Sequence, residues 1–115
     1  MKRIVLMLDG FIQRDLLTDK AVVTIGRNAE NDIQIDNPSV SGVHAKITLS
    51  PELTVEDLGS TNGTLVGGTK IAQPTTIHIG TPIAILRYLV YVLDEHKKAD
   101  GSTLERTLKV GEKPA

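Results

Sequence analysis

Short apolar runs separated by turn residues fill the first 93 residues, and almost none of them repeats at the spacing of a helix. Residues 4–8 are continuously apolar and end at Asp9-Gly10, a pair favoured at the tip of a two-residue β-hairpin. Residues 11–17 then read as the partner strand, and residues 21–26 as a third run. Residues 32–36 and 43–49 alternate polar with apolar, the second placing Val43, Ala45, Ile47 and Leu49 on one face. Residues 53–58, 64–66 and 75–79 continue the series. Residues 83–93 read as one almost continuously apolar strand suited to a sandwich core. Many short strands with Gly, Pro, Asn and Asp between them predict an all-β fold, an antiparallel β-sandwich with its loops gathered at the ends.

The pattern stops near Asp94. Residues 94–115 are mostly charged or small, and they close on Gly111-Glu112-Lys113-Pro114-Ala115. Residues 103–108 are long enough for a turn of helix, but the segment as a whole predicts a flexible tail or linker. One domain at residues 1–93 and a tail at 94–115 is the expected organisation, ordinary for a chain of 115 residues.

Composition removes several function classes. The net charge is -1 and no basic stripe stands out, which argues against nucleic acid or an anionic membrane as partner. Phe11, Tyr88 and Tyr91 are the only aromatic residues, too few for a base-stacking platform. With no cysteine there is no disulfide, thiolate metal site or cysteine nucleophile, and the scattered His44, His78 and His96 suggest no metal set. No signal peptide or membrane-spanning run is legible, so a cytoplasmic location and no cofactor are expected.

Three loop-like clusters remain: Gly26-Arg27, Ser41-Gly42-Val43-His44, and Ser60-Thr61-Asn62-Gly63-Thr64. Taken singly, each reads as ordinary structure: an exposed arginine after a strand, a turn serine entering a strand, a tight Asn-Gly turn. Together they supply one fixed guanidinium, several hydroxyls, an amide and glycine-freed backbone N–H groups. That is the equipment for holding one phosphate group on a side chain.

In this order and spacing, Gly26-Arg27, Asn31-Asp32, Ser41 with His44, Asp57 and Ser60-Thr61-Asn62-Gly63-Thr64 resemble the forkhead-associated (FHA) domain, a phosphothreonine-peptide-binding module. The resemblance covers about the first 93 residues and implies a sandwich of about eleven strands of the FHA/SMAD-like type. It implies that Arg27 contacts the phosphate, that Ser41 and its neighbouring backbone hold another phosphate oxygen, and that Thr61 donates to the phosphate. Asn62 is implied to bond the peptide backbone, while Gly26, His44 and Gly63 support the site. The family often has a basic or amide side chain after the serine. Here Gly42 leaves only backbone at that place, and Gly67-Gly68 replaces a second Asn-Gly.

A phosphothreonine carries about -1.5 to -2 charges and three acceptor oxygens. Three or four charge-assisted hydrogen bonds at roughly 1.5–3 kcal/mol each reach the scale of a micromolar complex, about 8 kcal/mol, before ordering costs. Expected partners are phosphothreonine-containing proteins, substrates of Ser/Thr kinases. Selectivity is expected from Asn28, Glu30, Ser39, Val40 and Gly67. The rival readings are a phosphate-independent interaction or dimerisation scaffold, and a hydrolase built on Ser41, His44 and Asp57. The last is disfavoured because the nucleophile-elbow pattern is absent, so no enzymatic activity is expected. Thr103 and Thr107 are further candidates, as phosphoacceptors that would let the tail dock into the domain's own site or that of a second copy.

Overall fold

The computed structural model describes residues 1–94. The expected tail beyond Asp94, with its helical turn at 103–108 and with Thr103 and Thr107, lies outside the described residues.

Eleven strands pack as two sheets. They are β1 (Lys2–Leu8), β2 (Phe11–Thr18), β3 (Val22–Gly26), β4 (Ile33–Gln34), β5 (Ala45–Thr48), β6 (Thr54–Asp57), β7 (Leu65–Val66), β8 (Thr69–Lys70), β9 (Thr75–Thr76), β10 (Ile83–Ile85) and β11 (Tyr88–Asp94). The six-stranded sheet runs β2-β1-β11-β10-β7-β8 and the five-stranded sheet β4-β3-β5-β6-β9. Alternation builds the core between them. Ile4 and Leu6 of β1 pair with Val92 and Val90 of β11, and Val90 pairs with Ile83. In the other sheet Val23 pairs with Ile47, and Ile47 with Val55. All of these side chains are fully buried or nearly so.

The turns follow local chemistry where the sequence provides it. Asp9 and Gly10 stand at φ 53° and 85°, the left-handed pair of a tight β1–β2 hairpin. Gly67 and Gly68 make an equivalent turn between β7 and β8, at φ 58° and 89°.

Four expectations are corrected. Residues 83–93 are not one strand: Ile85 pairs with Tyr88, and Leu86-Arg87 forms the turn between β10 and β11. Leu86 there takes φ 56°, a conformation its β-strand-favouring neighbours do not announce. The sandwich is not wholly antiparallel, since β3 and β4 pair in parallel at Ile25–Ile33 and Gly26–Gln34. Residues 75–79 keep only two residues of strand. The Ile77 N–H bonds the Leu53 carbonyl, and the chain then turns through a 3.0 Å bond from the Thr81 N–H to the His78 carbonyl. Val43 is 45% exposed rather than facing the core with Ala45, because His44 and Ala45 are both buried and break the alternation.

Candidate functional site

Strand β3 delivers Arg27 into a cluster formed by the β3–β4, β4–β5 and β6–β7 loops. The Arg27 and Asn28 N–H groups bond the carbonyls of Ser41 and Gly42 at 3.0 and 3.1 Å, which zips the first two loops together. Asn31, 8% exposed, locks the same seam by donating its amide to the Asn28 and Gly42 carbonyls at 2.8 and 2.7 Å. Gly26 makes this approach possible. A Cβ there would collide with the Gly42 carbonyl oxygen and lie 2.9 Å from the Asn31 amide nitrogen. Gly26→Ala is therefore expected to cost about 1–3 kcal/mol, the range for overpacking, and to widen the seam. Urea unfolding midpoints of the two proteins measure it.

The Arg27 side chain is exposed. Its Nη1 donates to the carbonyls of Pro38 and Val40 at 3.2 and 3.3 Å, and no carboxylate lies within ion-pair distance among the described residues. A guanidinium has five N–H donors, so most of its fork is open to an incoming acceptor.

His44 holds the second and third loops. It is fully buried, and its Nδ1 accepts the Ser41 N–H at 3.2 Å while Nε2 lies 2.8 Å from the Gly63 carbonyl. With Nδ1 accepting from Ser41, the Nε2–H is the donor to the Gly63 carbonyl. The Ser41 Oγ accepts the Thr61 N–H at 3.0 Å, leaving its own hydroxyl proton for another acceptor. Asn62 donates Nδ2 to the Ser39 carbonyl at 2.8 Å, and its amide oxygen accepts no hydrogen bond among the described residues. Ser41 is half-buried, and Thr61 and Asn62 are exposed.

Asp57, at the end of β6, folds the third loop around itself. Its Oδ1 accepts the N–H groups of Gly59 and Ser60 at 3.0 and 2.8 Å. Its Oδ2 accepts the hydroxyls of Ser60 and Thr64 at 2.6 and 2.8 Å. Ser60 Oγ in turn accepts the Gly63 N–H at 2.9 Å. Burial pushes the Asp57 carboxyl up, but the hydrogen bonds from Ser60 and Thr64 more than offset it and hold the group below its usual value. Asp32 is lowered in the same way, with burial opposed by Lys20 and Thr24.

A depressed folded-state value means that each group stabilises the fold above its unfolded value and loses that contribution as pH falls through the folded one. Stability should therefore decline below the ordinary carboxylate range. Asp57→Asn should flatten part of that decline in urea melts run from neutral to acid pH.

The loops bring together every residue expected at the site: Arg27, Ser41, Gly42, Thr61 and Asn62, with Gly26, His44 and Gly63 behind them. Gly42 contributes backbone, and a Cβ on it would press within 2.9 Å of the Asn28 amide. Val40 is corrected: it is fully buried, and only its carbonyl meets Arg27. Asp57, Asn31 and Ser60 have larger structural parts than the sequence indicated. The Asp-x-x-Ser spacing, typical of a side-chain-closed turn, was the available signal.

A hydrolase geometry is not formed. His44 reaches the Ser41 backbone rather than Oγ, and Asp57 bonds Ser60 and Thr64 rather than the imidazole. Beside the cluster a groove of about 340 Å³ is lined by Leu8, Asn37, Ser39, Leu86, Arg87 and Tyr88.

A family model described as FHA domain matches residues 23–86. The glycogen accumulation regulator GarA of Mycobacterium tuberculosis (strain CDC 1551 / Oshkosh) is 33% identical over 90 residues, 76% of this chain and 55% of that protein. The FHA domain of the CT664 protein from Chlamydia trachomatis superposes with a TM-score of 0.72 at 26% identity, over 81% of this chain and 96% of that one. Mycobacterium tuberculosis EmbR, solved in complex with a low affinity phosphopeptide, gives 0.70 at 28% identity, over 80% of this chain and 24% of that one. The chain spans about half the length of the curated relatives it matches.

Proposed function

The chain belongs to the FHA domain family, and we propose that it is a phosphothreonine-peptide-binding module that recruits or regulates partners of Ser/Thr kinase signalling. The observation that carries this reading is Arg27, a guanidinium with no carboxylate partner among the described residues, on converging loops that also carry a serine hydroxyl, a threonine hydroxyl and an amide and are braced from below by a buried histidine. Arg27 takes two phosphate oxygens through its open fork, and the Ser41 hydroxyl proton with the Thr61 hydroxyl takes the third. The amide oxygen of Asn62 accepts a peptide N–H, and the groove between Ser39 and Arg87 receives flanking residues. Phosphothreonine rather than phosphoserine rests on the resemblance to the family. The phosphopeptide held by EmbR supports the class of ligand. Asp94 still closes β11, paired with Lys2, and residues 95–115 are assigned as the linker or tail of this module.

A phosphate-independent scaffold is the second reading. Its support is the edge strand β2, where Phe11, Ile12 and Leu17 are 72%, 52% and 42% exposed. The two are separated by screening paired phosphothreonine and unmodified peptide libraries against the wild type and Arg27→Ala. Enrichment confined to the phosphorylated library and lost in the variant is expected. Equal capture from both libraries would favour the scaffold.

A further inference from the structure

Resting on the phosphopeptide reading, we propose that Lys70 is a specificity-determining residue of the same site, a second cation that selects peptides carrying an acidic residue beside the phosphothreonine. Eight Lys and Arg residues fall within residues 1–94. Five of them, Lys2, Arg3, Lys20, Lys46 and Arg87, sit in ion pairs with Asp94, Asp15, Asp32, Glu56 and Asp9. Arg14, Arg27 and Lys70 have no carboxylate within that distance among the described residues. Arg14 lies on β2, at the edge of the six-stranded sheet opposite to the one that β8 and Lys70 occupy. Among the described residues Lys70 is thus the cation without an ion-pair partner beside the β6–β7 loop.

Its placement is specific. Lys70 pairs with Leu65 across the β7–β8 hairpin, and the Ile71 N–H bonds the Thr64 carbonyl at 2.9 Å, which fixes the hairpin against the end of the loop. The side chain then lies over Gly63. A Cβ built on Gly63 would stand 2.5 Å from Lys70 Cε and 3.3 Å from Nζ. The aliphatic stem therefore packs on the backbone directly after Asn62, and the ammonium stays exposed at the flank of the turn. Gly63, at φ 87°, serves two ends: it makes the turn and clears the path for the lysine. A peptide bonded to Asn62 has to pass this ammonium. With Gly42 offering no side chain on the neighbouring loop, Lys70 supplies the positive charge there that Arg27 does not. An ammonium is a compact point charge without a preferred plane, so it suits an aspartate or glutamate on a mobile peptide better than it suits bidentate capture.

The test is an oriented phosphothreonine peptide library, degenerate at its flanking positions, screened against the full chain and against Lys70→Gln and Lys70→Glu, followed by anisotropy titrations at low and high salt. The wild type is expected to enrich Asp or Glu at one flank, with roughly two- to fivefold tighter binding than the Asn or Gln counterpart, the scale of an exposed ion pair. Lys70→Gln should erase that preference, and Lys70→Glu should turn it toward Lys or Arg at the same position. The difference should shrink in salt. Phosphate-dependent binding with the same flanking preferences in all three proteins would overturn the assignment of Lys70 alone. No phosphothreonine enrichment by the wild type would overturn the site reading and this one with it.

Discussion

Arg27→Ala should lose phosphopeptide binding by about 2–5 kcal/mol, roughly thirtyfold to several-thousandfold in Kd, while the protein stays folded. The asymmetry follows from where the side chain sits. Its guanidinium is exposed and, among the described residues, hydrogen-bonds the Pro38 and Val40 carbonyls alone, so its removal leaves no buried charge. Those carbonyls can turn to water. The backbone N–H of Arg27, which holds the Ser41 carbonyl, survives the substitution. Calorimetric titration of a selected phosphopeptide measures the loss, and a thermal midpoint within about 2 °C of the wild type shows that the fold is retained. Arg27→Lys should fall between the two, because it keeps the charge and loses the planar fork. Equal affinity of Arg27→Ala and wild type would remove Arg27 from the site.

His44→Ala should give the opposite profile, a large loss of stability with weakened binding as its consequence. The ring is fully buried and its two nitrogens each hold a different loop. Truncation leaves a cavity, an unpartnered Ser41 N–H and an unpartnered Gly63 carbonyl, which together cost about 3–5 kcal/mol. For a domain of this size that lowers the thermal midpoint by roughly 15–25 °C. Thermal and urea unfolding check it. A midpoint close to wild type would mean that the β4–β5 and β6–β7 loops are held by something other than the imidazole.

The framework of the fold was legible where local chemistry and burial agree. Asp9-Gly10 announces its hairpin because both residues tolerate a positive φ, and the inward face of β5, Ala45 and Ile47, follows from alternation. The break at Leu86-Arg87 was hidden because neither residue is a turn former. There the tertiary pairing of Ile83, Ala84 and Ile85 with β11 overrides local preference. Val40 and Val43 misled in opposite directions: Val43 because the chain before β5 is a loop to which period-two reasoning does not apply, and Val40 because a loop residue expected to face a peptide packs into the core instead. Val40 is fully buried while Val43 stays 45% exposed.

The site was legible as a set of residue types in order, since the loops keep that order when they converge. What was not legible is contact across loops. The pairing of Ser41 Oγ with the Thr61 N–H, of Asn62 with the Ser39 carbonyl, and the passage of Lys70 over Gly63 join residues that no local pattern links. Gly26 belongs to the same class. Its need for a bare backbone comes from the Gly42 carbonyl on another loop, while Gly63 is required by its own φ as well.

The most direct measurement is a ¹H–¹⁵N NMR titration of the isotope-labelled chain with one peptide in its phosphothreonine and unmodified forms. Addition of the phosphorylated form should shift the backbone amides of Arg27, Ser41, Thr61 and Asn62 most, together with the Arg27 side-chain signal, and the unmodified form should leave them in place. Shifts that are the same for both forms, or that fall along β2 while those amides stay still, would contradict a phosphate site built on Arg27.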